Sequence, residues 1–175
     1  PAGLARRALA RDYQVESFQD GSAALEALSS GDAPDVMVLD WVMPGVTGVD
    51  VCRFLRSSGP AAQKIGILLL TVQRDTEQIV EGLSAGANDF LAKPYEDEEL
   101  RARVASLART RELVEGLELA QAENRKLLET APDAFIVCDG DGRLTFVNEQ
   151  AIAIFDADRD SLLGRSLAEL VPGLN

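Results

Sequence analysis

The chain has 175 residues, of which 46% are hydrophobic, so its length and composition allow one domain and part of a second, each with a packed core. Its formal net charge is −12 at pH 7. This charge argues against an extended nucleic-acid-binding surface, because such a surface needs clustered Lys and Arg. It also argues against docking on anionic membranes. The absence of His excludes a His-based catalytic triad, while two widely separated Cys and the lack of any apolar run of membrane-spanning length favour a reducing, cytoplasmic setting.

Residues 1–95 alternate helical patterns with short apolar runs. Helices are predicted over 22–30, 49–57 and 76–85, with Ser22 as the cap of the first of them, and the family resemblance given below adds a helix over 3–11. Strands are predicted over 13–18, 36–40, 65–71 and 89–92. Near-continuous apolar strands separated by helices are typical of a parallel sheet covered on both faces, so the sequence predicts a doubly wound α/β domain.

Three polar residues fall at or just after the carboxyl ends of predicted strands: Asp40, Thr71 and Lys93. In doubly wound sheets the functional groups lie at that edge, so we expect these residues to converge there. The alternatives are local ones, in which Asp40 and Thr71 cap the turns that follow them and Lys93 is a solvated surface lysine.

A long helix without proline is predicted over 96–130. Its first part carries Leu100, Val104 and Leu107, a spacing suited to packing on the α/β body. Its later part has the spacing of a two-stranded coiled-coil seam with one polar core position, formed by Leu113, Leu117, Ala120, Asn124 and Leu127. We favour a helix that forms a homodimer, the alternative being one amphipathic helix that lies on its own domain.

Residues 131–175 have a different character. Two apolar runs, 134–138 and 144–147, flank Asp139-Gly140-Asp141-Gly142 and predict a hairpin, and helical turns follow over 148–155, 161–163 and 166–170. Two strands do not make a stable sheet alone, so this segment is predicted to be the front part of a second, α+β domain.

Three segments together resemble the receiver domain of bacterial two-component response regulators. Residues 36–45, Val-Met-Val-Leu-Asp-Trp-Val-Met-Pro-Gly, resemble its phosphoacceptor segment. Residues 68–71 resemble the strand that bears its hydroxyl, and residues 86–94 resemble its last strand with Lys-Pro. The resemblance covers about Leu4 to Leu107, and it implies a five-stranded sheet of order 2-1-3-4-5 with residues 1–108 as the receiver domain. The first strand is missing from this chain, so about ten to fifteen preceding residues are expected in the parent protein.

The resemblance also implies roles for single residues. Asp40 would accept a phosphoryl group from a histidine kinase or a phosphotransfer protein, and this self-catalysed transfer is the one activity expected of the chain. Thr71 and Lys93 would stabilise the phosphoryl oxygens, and Phe90 would be the aromatic switch. Mg²⁺ would be held by Asp40, the backbone carbonyl of Val42 and an acidic pair that this chain lacks.

Residues 129–137, 148–151 and 162–166 resemble the opening of a PAS domain. The resemblance implies an N-terminal part of a PAS domain over 131–175, with 96–130 as the helical linker that carries the signal to it and to an output domain. One rival hypothesis is a receiver-like dimerisation scaffold that takes no phosphate. Another is a nucleotide-binding enzyme, which would need a Gly-rich phosphate loop after a strand, and the sequence has none.

Overall fold

A computed structural model of the chain describes residues 2–30, 33–72 and 75–171. The chain divides into two compact units, Pro1–Val114 and Glu115–Asn175. The elements of the first unit, in chain order, are α1 (Ala2–Leu9), α2 (Gly21–Ser30), β1 (Val36–Asp40), α3 (Gly48–Ser57), α4 (Pro60–Gln63), β2 (Gly66–Thr71), α5 (Thr76–Ser84), β3 (Asp89–Ala92) and the start of α6 (Asp97–Glu129). Those of the second are the end of α6, then β4 (Ile136–Cys138), β5 (Leu144–Val147), α7 (Glu149–Phe155), α8 (Arg159–Leu162) and α9 (Leu167–Leu170).

The first unit is built on a parallel sheet of order β1-β2-β3. Strand β2 is buried along its whole length, and its side chains alternate between two core clusters. The cluster on one face joins β1 and β2 to α3 and consists of Leu39, Val49, Val51, Cys52, Leu55, Ile65, Ile67, Leu69, Ala85 and Ala87. The cluster on the other face joins β2 and β3 to α1 and α6 and consists of Ala5, Ala8, Leu9, Leu68, Leu70, Leu91, Leu100 and Val104. The predicted doubly wound α/β class is therefore confirmed.

Residues 13–18 do not form a strand, so that prediction is wrong. A strand needs a neighbour that accepts its backbone hydrogen bonds, and β1 pairs only with β2 among the described residues. The alternating apolar side chains of this segment are used for packing instead, since Tyr13 and Val15 lie against the cluster formed by α1, β2, β3 and α6.

Helix α2 begins one residue earlier than predicted. Asp20, rather than Ser22, is its cap, because the Asp20 carboxylate accepts a hydrogen bond from the backbone N–H of Ala23 at 2.8 Å. The short helix α4 was not predicted. The other predicted elements are confirmed, with ends that differ from the observed ends by one or two residues.

The Arg56 guanidinium, on α3, holds together the two connections that enter β2 and β3. Its donors reach the carbonyl oxygens of Gly86 at 2.9 Å and Ile65 at 3.0 Å, and the side-chain oxygen of Asn88 at 2.8 Å. Two further bonds go to the carbonyls of Gln63 at 2.8 Å and Ala62 at 3.4 Å. Burial lowers the pKa of Arg56. The starts of both strands are thus fixed to α3, which leaves the opposite strand ends as the free edge.

The predicted long helix is confirmed, and its first part packs on the first unit as predicted. Leu100 and Val104 are fully or almost fully buried in the first unit. The predicted dimer residues Leu113, Leu117 and Leu127 are 61–68% exposed, and Ala120 and Asn124 are exposed as well. The homodimer through this seam stays a prediction. No helix in the part of the chain that the structure describes is long and apolar enough to cross a membrane.

In the second unit, β4 and β5 form the predicted antiparallel hairpin, with an irregularity between Val137 and Cys138. Asn148 is fully buried and caps α7. Its side-chain oxygen accepts from the N–H groups of Phe135 and Ala151, and its amide donates to the carbonyls of Leu128 at 3.0 Å and Asp133 at 2.9 Å. One side chain thereby joins the end of α6 to the hairpin and to α7.

Candidate functional site

Asp40 is the last residue of β1, and its carboxylate lies at the carboxyl edge of the sheet. The Lys93 ammonium donates a hydrogen bond to Asp40 Oδ2, which makes an ion pair across the two strand ends. The two side chains are 26% and 19% exposed, so the pair is sheltered and still open to a ligand on one side. Chemically, a carboxylate can act as a nucleophile, and the neighbouring ammonium can attract a negatively charged substrate.

Thr71 ends the central strand between these two residues and is 3% exposed. Backbone hydrogen bonds fix the three strand ends to one another, because the Trp41 N–H donates to the Leu70 carbonyl and the Lys93 N–H donates to the Thr71 carbonyl, each at 2.7 Å. Asp40, Thr71 and Lys93 come from three separate strands, and the structure brings them to one edge as expected from the order of the predicted elements.

The loop after Asp40 returns to the sheet at Gly48, where α3 begins. The Gly48 N–H donates to the Trp41 carbonyl at 3.2 Å, and a Cβ at position 48 would lie 2.3 Å from the Asp40 carbonyl oxygen. Only glycine permits this approach. Thr47 and Asp50 cap the helix reciprocally, and the hydrogen bonds from Thr47 lower the pKa of Asp50. The position of Asp40 is therefore fixed from the strand side and from the loop side.

Val42 lies in this loop, two residues after Asp40, with its side chain 71% exposed. Mg²⁺ prefers six oxygen ligands in near-octahedral geometry. Among the residues that the structure describes, no group of three or more His, Cys, Asp or Glu could hold a metal ion. The described residues offer the Asp40 carboxylate and the Val42 carbonyl, and by themselves they do not make a complete Mg²⁺ site.

Phe90 lies in β3, partly buried against the core cluster that includes α3. It shares with Thr71 the wall of a small cavity of about 10 Å³, which has room for about one water molecule. The remaining wall comes from the loop after β1, from β2, from α5 and from the connection between α5 and β3, and consists of Trp41, Leu69, Gln78, Ile79, Gly82, Leu83 and Ala87. Thr71 and Phe90, which were both predicted from the sequence, therefore line the same cavity.

Tyr95 was not predicted as part of the site. It follows Lys93-Pro94 and packs against the cluster formed by α1, β2, β3 and α6. Burial, followed by the negative charges of Asp40 and Asp97, raises the pKa of the Tyr95 phenol. Its position two residues after Lys93 was the only sequence signal. The five residues predicted to form a dimer seam all belong to α6 and to none of the strands or loops that carry Asp40, Thr71 and Lys93.

Comparison with known proteins identifies two families along the chain. The family of the response regulator receiver domain matches residues 2–105, and the PAS fold matches residues 122–174. Response regulator PleD of Caulobacter vibrioides is 35% identical over 146 residues, which are 83% of this chain and 32% of PleD. Response regulator MprA of Mycolicibacterium vanbaalenii is 47% identical over 105 residues, which are 59% of this chain and 44% of MprA.

Solved structures agree with this assignment. The signal receiver domain of a signal transduction histidine kinase from Syntrophus aciditrophicus is 32% identical, with a TM-score of 0.57 over 62% of this chain and 82% of that domain. The chain therefore covers most of a solved receiver domain, whereas it spans about a third of PleD and less than half of MprA.

Proposed function

Because the chain belongs to the response regulator receiver domain family, we propose that Asp40 accepts a phosphoryl group from a histidine kinase or a phosphotransfer protein. The observation that carries this proposal is the Lys93 ammonium on the Asp40 carboxylate, with Thr71 at the end of the strand between them. An ion pair with a purely structural role would need only the Lys93 ammonium and the Asp40 carboxylate. The additional hydroxyl-bearing residue at the same edge is what phosphoryl transfer needs.

In the proposed step, an Asp40 carboxylate oxygen attacks the phosphorus atom. A P–O bond forms, the bond between phosphorus and the donor breaks, and the leaving group keeps that electron pair and takes up a proton. Lys93 and the Thr71 hydroxyl neutralise the equatorial oxygens, whose charge must be balanced in the transition state. The phosphoryl group on Asp40 carries a charge of about −1.5 to −2, in place of the −1 of the free carboxylate.

Receiver domains generally bind Mg²⁺ at the phosphorylation site. We propose that this chain contributes the Asp40 carboxylate and the Val42 backbone carbonyl to such a site. The further acidic ligands would have to come from residues outside those that the structure describes, because the described ones hold no suitable cluster. The metal would supply positive charge against the transferred phosphoryl group.

The test is incubation of the full-length protein with Mg²⁺ and acetyl phosphate, followed by intact mass. One added phosphoryl group is expected in the unsubstituted protein and in Asp35→Asn, which removes a carboxylate at the other end of β1, and none in Asp40→Asn. Lys93→Met should form the adduct more slowly. Failure of the unsubstituted protein to form an adduct, or an adduct on Asp40→Asn, refutes the proposal.

We further propose that a phosphoryl group on Asp40 displaces Thr71 and Phe90 and so changes how α6 pairs in a homodimer. Helix α6 would pass this change to the PAS domain and to an output domain in the cytoplasm. The exposed face of Leu113, Leu117 and Leu127 supports the dimer. Sedimentation tests it: Leu117→Glu should give monomers, whereas Leu119→Glu, 72% exposed and outside the seam, should not. Equal behaviour of the two variants contradicts a seam at these residues.

The incomplete metal-ligand set favours a second candidate, a receiver-like scaffold that dimerises through α6 without phosphorylation. It predicts no adduct in the mass experiment and a dimer that Asp40→Asn leaves unchanged. The same two measurements therefore separate the two functions.

A further inference from the structure

The residue after the proposed phosphoacceptor makes a contact that no role described above explains. A Cβ at Gly82, in the middle of α5, would lie 2.8 Å from Cζ3 and 3.3 Å from Cη2 of Trp41. The edge of the indole ring thus rests directly on the backbone of α5. Leu69 closes the other side of this contact, at 2.9 Å from the same hypothetical Cβ.

Gly82 lowers the stability of helix α5, and the packing of a helix does not in general require a glycine. In a helix interior, glycine is less favourable than alanine by about 1 kcal/mol, and Gly82 is buried in the second half of a nine-residue helix. A smaller side chain at position 41 would leave room for alanine at position 82 after a small shift of the Leu69 methyl group, which is the free end of a flexible side chain. The pair of a large aromatic residue and a glycine therefore brings the indole closer to α5 than any other residue at position 82 would allow.

The backbone of Trp41 is fixed on both sides. Its N–H donates to the Leu70 carbonyl at 2.7 Å, and its carbonyl accepts from the Gly48 N–H at 3.2 Å. Trp41 directly follows Asp40 in the chain. Because its backbone is held on both sides, a displacement of the indole ring moves Asp40 and is not taken up by a flexible loop. Trp41 also borders the small cavity that Thr71 and Phe90 share.

We propose that Trp41 is a positioning residue for Asp40, and that its contact with Gly82 couples the placement of α5 to the rate at which Asp40 takes up phosphate. This inference rests on the proposed function. Packed interiors resist small displacements, so a shift of α5 reaches Asp40 through the indole ring. Coupling is reciprocal, so a partner that binds α5 changes the equilibrium of phosphorylation, and phosphorylation changes the affinity for that partner.

The test is Gly82→Ala in the full-length protein. The added methyl must move apart from Trp41, from 2.8 Å to the 3.4 Å of ordinary contact. A misplacement of about 1 Å at a reacting group costs up to about 100-fold in rate, so we expect adduct formation at saturating acetyl phosphate to slow by about tenfold. The acetyl phosphate concentration at half-maximal rate should stay the same, since the donor site is intact. Gly116→Ala, which meets nothing within 4 Å, is the matched control.

A second substitution separates positioning from a general loss of structure. Trp41→Phe removes the ring atoms that touch Gly82, so Gly82→Ala should cause no further slowing in that background. Emission from Trp41, the only tryptophan of the chain, should change in Gly82→Ala and not in Gly116→Ala. An unchanged rate in Gly82→Ala, or an equal slowing with Phe at position 41, overturns the inference. A protein that forms no adduct in any variant refutes the proposed function instead, whereas adducts formed at one rate in all variants refute the positioning role alone.

Discussion

Replacement of Arg56 by Met removes the guanidinium that holds the connections entering β2 and β3, while it keeps an aliphatic stem of similar length. Five hydrogen bonds are lost. Those to Gln63 and Asn88 are exposed, and water can replace them. Those to Gly86, Ala62 and Ile65 are partly buried, so the acceptors are left without full hydration.

The expected cost follows from the three partly buried bonds. An unsatisfied or poorly replaced hydrogen bond of this kind costs about 1 kcal/mol, so the free energy of unfolding should fall by about 3 kcal/mol. With a urea dependence of about 2 kcal/mol per molar, the unfolding midpoint should fall by about 1.5 M, and the slope should not change. A large change in slope would mean that the substitution altered how much surface unfolding exposes.

The assay is urea unfolding followed by Trp41 emission, which reports on the first unit because the chain has no other tryptophan. Arg53→Met is the control, since it makes the same change three residues earlier on α3. The Arg53 side chain is 54% exposed and pairs with Asp50 and Glu81, which are 51% exposed, so its loss should cost less than about 1 kcal/mol. A loss below about 1 kcal/mol for Arg56→Met, or equal losses for both variants, would refute the reasoning.

Three further predictions concern the thiol, the second unit and the loop after the acceptor. Burial raises the pKa of the Cys52 thiol from 9.0 to about 11. The stability that this thiol contributes is therefore complete below pH 9 and is lost as the pH rises towards 11. The urea midpoint of unfolding should fall over that pH range, and it should fall less in Cys52→Ala. Asn148→Ala should destabilise the second unit by about 3 kcal/mol and speed hydrogen exchange over 135–171, because it removes four bonds of a buried side chain. Gln150→Ala, at an exposed position of α7, should change neither. Gly48→Ala should slow adduct formation in the mass experiment by about tenfold or more, since its Cβ would displace the Asp40 backbone; an unchanged rate would show that this approach does not position Asp40.

The position of the candidate site at one edge of the sheet could be predicted from two properties of the sequence, the short apolar runs and the order of strands and helices. Short apolar runs give the strands, and parallel strands place their carboxyl ends on one side, so Asp40, Thr71 and Lys93 had to meet once the order of elements was known. The roles of these residues, of Phe90 and of the Val42 carbonyl stay predictions, as do the domain boundaries at 108 and 131.

Contacts between residues distant in sequence could not be predicted, because they leave no periodic pattern. Trp41 and Gly82 are separated by α3, α4 and β2, and nothing in either segment indicates that they touch. The bonds of Arg56 could not be predicted either, because its acceptors are mostly backbone carbonyls, and these are present at every residue of the chain. The error at 13–18 has the same origin, since alternation predicts an apolar face but not the presence of a neighbouring strand.

The way Asn148 holds the end of α6 also limits how this chain can be recombined with others. Leu128 accepts the hydrogen bond from Asn148 through its backbone carbonyl, so any helical residue could replace it. Two other contacts depend on side chains. Glu129 binds Arg159 at 3.0 Å, and the Arg125 guanidinium lies over the Phe146 ring, 6.0 Å from its centre. A chimera that joins a foreign helix to this second unit should therefore place its junction before Arg125. The last turn of α6 belongs physically to the segment that follows it, and a second unit transplanted without that turn would lose its contacts with Arg125, Leu128 and Glu129.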